Sequence, residues 1–88
     1  MPEKILTVLD ATKVPWPTVV PHDDRIVFRW DTGRKCLDVE VYRDNTLSWF
    51  YRDRITRQIE GSEEDRIHEL PDEAVTLLQN MFDRVYMN

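Results

Sequence analysis

The stretch Arg25–Arg52, RIVFRWDTGRKCLDVEVYRDNTLSWFYR, decides how this chain folds. Ile26, Phe28 and Trp30 alternate with Arg25, Val27 and Arg29, and Leu37, Val39 and Val41 alternate with Cys36, Asp38, Glu40 and Tyr42. Apolar residues at every second position line one face of a pleated strand, because successive side chains point to opposite sides. Between these runs Asp31-Thr32-Gly33-Arg34 reads as a turn, with Gly33 free to take positive φ. Arg43-Asp44-Asn45 reads as a three-residue hairpin loop with Asn45 left-handed, and Thr46–Arg52 as a third strand. Setting Tyr42 opposite Thr46 pairs Val41 with Leu47, Val39 with Trp49 and Leu37 with Tyr51. Every bulky pair then falls on one face, as a buried sheet face requires. A slip of one residue would bury Ser48 and Arg52 instead, and is rejected.

Working outward, Val14–Pro21 (VPWPTVVP) must be extended, since its prolines fix φ and bias the residues before them, and a strand carrying prolines belongs at a sheet edge. Before it, Glu3–Ala11 has the spacing of a short helix, opened by Pro2 and ended before Pro15 and Pro17. After the third strand, Arg54–Gly61 reads either as its continuation or as a fourth strand, and Arg66–Leu70 as a short return strand. Pro71–Met87 is predicted to be a helix, with Asp72 and Glu73 at the positive end of its dipole and an apolar stripe of Ala74, Leu77, Leu78, Met81, Phe82 and Val85. The expected fold is α+β: an antiparallel sheet of three to five strands, a C-terminal amphipathic helix packed on one face, and a short N-terminal helix. The expected organisation is a single domain over 1–88, with a helix at 1–13, an extended segment at 14–21, a meander at 25–59, an acidic loop at 60–70 and a helix at 71–87.

The composition agrees with one modest core: 88 residues, 41% hydrophobic and 33% charged, with a formal net charge of −5. No apolar run approaches the roughly 20 residues that span a bilayer, and MPEKILTVLDATK mixes charge into its apolar stretch and is not read as a signal peptide. The single cysteine, Cys36, excludes an internal disulfide and fits a cytoplasmic setting. The net charge is unevenly spread. From Glu60 to Glu73 seven carboxylates face Arg66 alone, a net of −6, which leaves the rest of the chain at +1. Such a balance disfavours general affinity for nucleic acid or anionic lipid.

Few residues have the spacing of catalytic chemistry. His22-Asp23-Asp24 with His68 and Glu69 is a weak metal pattern, and the Asp residues suit a turn better. Cys36 beside Lys35 would modestly favour a thiolate, but no base is in view. Gly33 and Gly61 are the only glycines, so phosphate-binding and dinucleotide loops are absent. Asp38 and Glu40 share a face but arginines on neighbouring strands should neutralise them. No enzyme, cofactor or metal is expected.

The sheet face opposite the core carries Arg25, Val27, Arg29, Asp38, Glu40, Tyr42, Ser48, Phe50 and Arg52. Of these Val27, Arg29, Tyr42, Phe50 and Arg52 form the candidate partner-binding face, an apolar patch rimmed by charge. The Pro-rich segment, with Trp16 as plug, or a second copy of the chain could cover it. A single-stranded nucleic acid could use the same face if Arg29 and Arg52 were free of Asp38 and Glu40. The acidic loop Glu60, Glu63, Glu64 and Asp65 reads either as a solvated loop or as a steering patch for a partner with a basic surface.

The strand ending at Trp30, the LDVEV run Leu37–Val41, the polar turn Asp44-Asn45 and the aromatic strand after it resemble small, uncharacterised proteins of bacterial and phage accessory genes, over roughly Pro21–Phe82. That resemblance implies a short accessory protein, such as a regulator, inhibitor or antitoxin-like module, that acts by binding. The expected function is a stoichiometric, non-enzymatic protein-binding module; a homodimeric structural module and a single-stranded nucleic-acid binder are the alternatives.

Overall fold

The alternation of the central stretch produces three long neighbouring strands. The computed structural model describes residues 14–62 and 66–82. The helix expected over 1–13, Val85 and the acidic residues Glu63, Glu64 and Asp65 lie outside them. The elements are β1 (Thr18–Pro21), β2 (Arg25–Asp31), β3 (Lys35–Tyr42), β4 (Leu47–Asp53), β5 (Ile59–Gly61) and α1 (Asp72–Phe82). The strands form one five-stranded sheet in chain order, each antiparallel to the next. This is an α+β fold with an open sheet and a C-terminal helix.

The register is the one that buries the bulky pairs: Val41 faces Leu47, Val39 faces Trp49 and Leu37 faces Tyr51. The two turns adopt the conformations their residues favour, with Gly33 at φ 91° and Asn45 at φ 68°. The loop at Asn45 is further tied by Asp44, whose Oδ1 accepts from the Thr46 backbone N–H at 3.0 Å. β1 is an edge strand, where Pro21 is tolerated. Its leading segment is tied down by the Trp30 indole, whose Nε1–H donates to the Pro15 carbonyl at 2.9 Å.

The segment after β4 resolves into a turn and a short strand. Residues 54–58 loop back through Arg57 at φ 65°, and β5 pairs Ile59 with Arg52 and Gly61 with Phe50. The return strand expected over Arg66–Leu70 is only a single bridge, in which Leu47 and Ile67 exchange both backbone hydrogen bonds at 2.7 and 2.8 Å. Glu60, expected in a loop, lies within β5 opposite Tyr51.

The core sits between the sheet and α1. Leu37, Val39, Ala74 and Leu78 are wholly buried, with Trp30, Val41, Leu47, Trp49, Tyr51 and Met81 around them. Leu77 and Phe82 flank this centre, so the described part of the expected stripe faces inward. Pro71 precedes the helix by one residue, and its carbonyl accepts from the Val75 N–H at 3.1 Å. Asp72 and Glu73 occupy the first turn, where negative charge meets the dipole.

Candidate functional site

The outer sheet face is a ladder of paired charges that gives way to an apolar end. Register sets the ladder: Arg29 stands opposite Asp38, and Arg25 lies one step diagonally from Glu40. The Arg29 guanidinium makes a two-point pair with Asp38, Nε–Oδ1 at 2.8 Å and Nη2–Oδ2 at 3.0 Å. Asp38 thereby raises the Arg29 pKa well above its ordinary value. Arg25 is shared between Glu40 and Asp24. The expectation that arginines neutralise Asp38 and Glu40 is met, and the freedom of Arg29 that a nucleic-acid surface requires is not.

The five residues expected to form one exposed patch are not equivalent. Val27 is only 6% exposed, because it is flanked along β2 by Arg25 and Arg29 and across the ladder by Val20 and Glu40. Tyr42 is half-buried and carries the Arg66 guanidinium over its ring at 3.7 Å from the centroid, a cation–π contact. Phe50 is 44% exposed and Arg52 is exposed. Of the apolar members of this face, Val27 is thus buried and Tyr42 half-buried, and Phe50 is the exposed one. Trp16, the expected plug, is itself 73% exposed.

Phe50 has a different apolar neighbour, which the sequence left ambiguous. Its cross-strand partner is Gly61, and Ile59, 61% exposed, lies diagonally from it on the same face. A Cβ at Gly61 would approach the Trp49 carbonyl oxygen to 2.7 Å, so the β5 position opposite Phe50 carries no side chain, while on the other flank Asp38 of β3 stands opposite it. The signal available in the sequence was parity: once Arg52 pairs with residue 59, Ile59 must share its face.

Two concavities meet here. One of about 160 Å³ is lined by Phe50 and Cys36, with Arg29, Asp38, Arg52 and Arg54 among its walls. The other, about 420 Å³ and more open, is lined by Arg52, Asp53, Arg54, Arg57 and Ile59. Arg52 and Arg54 are common to both. Arg54 is committed to Asp31, with contacts at 3.1 and 3.2 Å, and to the Gly33 carbonyl at 2.8 Å, which holds the β2–β3 turn beside the β4–β5 turn. Asp53 organises the latter turn. Its Oδ1 accepts from the Ile55 N–H at 2.9 Å, the Thr56 N–H at 3.1 Å and Arg34 Nε at 3.3 Å. Arg52 and Arg57 have no carboxylate partner among the described residues.

The other candidate groups fall elsewhere. Cys36 is buried, and burial followed by Asp38 and Asp31 pushes its thiol pKa up, against the expectation that Lys35 would favour the thiolate. Asp24 is engaged by Arg25, and the Asp23 carbonyl accepts from Arg43 Nη2 at 2.6 Å. No cluster of three or more His, Cys, Asp or Glu able to hold a metal occurs among the described residues. Ser62 closes the β4–β5 ladder, its Oγ accepting from the Trp49 N–H at 3.0 Å. No helix among the described residues is long and apolar enough to cross a membrane. No protein-family model, curated protein or solved structure matches the chain.

Proposed function

We propose that this chain is a small cytoplasmic protein-binding module that acts stoichiometrically and without catalysis, in the manner of a regulator or inhibitor, through the Phe50 end of its outer sheet face. The observation that carries the reading is Phe50 itself, 44% exposed beside Ile59 at 61%, where Gly61 leaves the opposite position on β5 without a side chain. Exposed aromatic and aliphatic side chains ringed by arginine are the composition of interface centres. The rest of the face is closed by its own ion pairs, which leaves this end as the attractive surface. A single-stranded nucleic acid fits less well, because Asp38 holds Arg29 and the midface carboxylates repel phosphate.

The experiment is Phe50→Asp with the backbone amide spectrum as the control for fold. A protein retained saturably by the wild-type chain from its source cells, and lost with the variant, supports the reading. Retention by both variants at equal strength overturns it. A wild-type dimer in sedimentation that becomes monomeric with Phe50→Asp would instead assign the face to a second copy.

A further inference from the structure

The charge and shape of this end specify the chemistry of its partner. The two concavities share Arg52 in their common wall, with Phe50 lining one and Ile59 the other. Of the arginines here, Arg29 and Arg54 are each held in two-point pairs by Asp38 and Asp31. Arg34 is directed to Asp53. The charge left without a carboxylate among the described residues is that of Arg52, on the shared wall, and Arg57, in the wider concavity. An apolar site, a cation and a second apolar site thus follow one another across the surface, with another cation beside the second.

We infer that this surface binds an extended segment of a partner protein in which apolar and acidic residues alternate at every second position, its carboxylates on Arg52 and Arg57 and its apolar side chains against Phe50 and Ile59. The inference rests on the protein-binding reading above and narrows it. Carboxylates match arginine by paired hydrogen bonds, and an extended segment presents alternate side chains to one surface. A polyphosphate chain lacks the apolar groups. It would also meet Asp31 and Asp38 at the rim of the first concavity.

The test is a titration of the isotopically labelled protein, followed by amide shifts, with four probes: octapeptides in which serine separates Leu from Glu, Leu from Gln or Leu from Lys (Leu-Ser-Glu-Ser repeated, and its Gln and Lys counterparts), so that both groups share one face, and an oligothymidylate of eight nucleotides. The Glu–Leu peptide should bind best, with shifts concentrated at Phe50, Arg52, Arg54 and Ile59. Arg52→Glu with Arg57→Glu should weaken it by about tenfold or more at unchanged fold. Equal binding of the Gln–Leu peptide, tighter binding of the oligothymidylate, or shifts centred on another surface would overturn the inference. Its failure is separable from that of the broader reading. A cellular protein lost with Phe50→Asp but kept by the double charge reversal removes only the acidic segment, whereas one kept by both variants removes both.

Discussion

Asp53 is 3% exposed and is the buried charged residue among those described. Burial pushes its carboxyl pKa up, but the Thr56 N–H, the Arg34 guanidinium and the Ile55 N–H outweigh that and bring it from 3.8 down to about 2. A carboxyl depressed on folding contributes stability that is present above its unfolded pKa and is lost as pH falls through the folded one. The urea midpoint should therefore drop between about pH 4 and pH 2, and Asp53→Ala should lower it at neutral pH while making that acid drop shallower. An unchanged acid slope in Asp53→Ala would assign the dependence to other groups, such as Asp31, whose carboxyl is also lowered, by Arg54 first. Phe50 and Leu37 make the contrasting pair, at 44% and 0% exposure. In equilibrium unfolding Phe50→Ser should cost less than about 1 kcal/mol, and Leu37→Ala about 2–5 kcal/mol. That difference separates a residue retained for contact from one retained for packing.

Among the elements, β5 and α1 depend most on their neighbours. β5 has three residues and is held by its pairing with β4 and by Ser62. Gly61→Ala forces a Cβ to within 2.7 Å of the Trp49 carbonyl, a backbone atom that cannot swing aside. It should cost about 1–3 kcal/mol and reduce amide-exchange protection selectively along β5. Protection equal to that of the wild type would show that the edge strand accommodates the methyl. α1 is anchored by Ala74, Leu78 and Met81. Leu78→Ala should cost about 2–5 kcal/mol, with loss of protection in the helix ahead of the central strands. The central hairpins were legible in the sequence because period-two alternation, Gly33 and Asn45 all point to one register. β5 was not, because Arg54–Gly61 alternates only weakly and its pairing depends on a turn assembled by Asp53, itself at the end of another strand.

Across the whole molecule, charge is arranged in two ways that behave differently toward salt. The ladder pairs on the outer face are partly exposed, as with Arg29 at 47% and Asp38 at 22%, so each contributes little net stability. Raising the salt from 0.05 to 0.5 M should accordingly shift the unfolding free energy by no more than about 1 kcal/mol, read from urea titrations. Association is expected to respond more strongly if charge steers it. Neutralising Glu60, Glu63, Glu64 and Asp65 tests steering by the acidic stretch, and Arg52→Glu with Arg57→Glu tests steering by the arginines. The variant that flattens the salt slope of the association rate identifies the charges that steer the partner. The sequence alone determined the three long strands, the register of β3 against β4, the turns between them and the inward stripe of the helix. Each follows from local periodicity and local backbone preference, which act within a few residues. Only the tertiary structure decided which outer-face residues are accessible: Val27 is buried between long side chains of its own ladder, Tyr42 is covered by Arg66, Arg54 is claimed by Asp31, and Ile59 joins Phe50. These depend on how far long side chains reach across strands and on where a short edge strand attaches, and no local pattern carries that information.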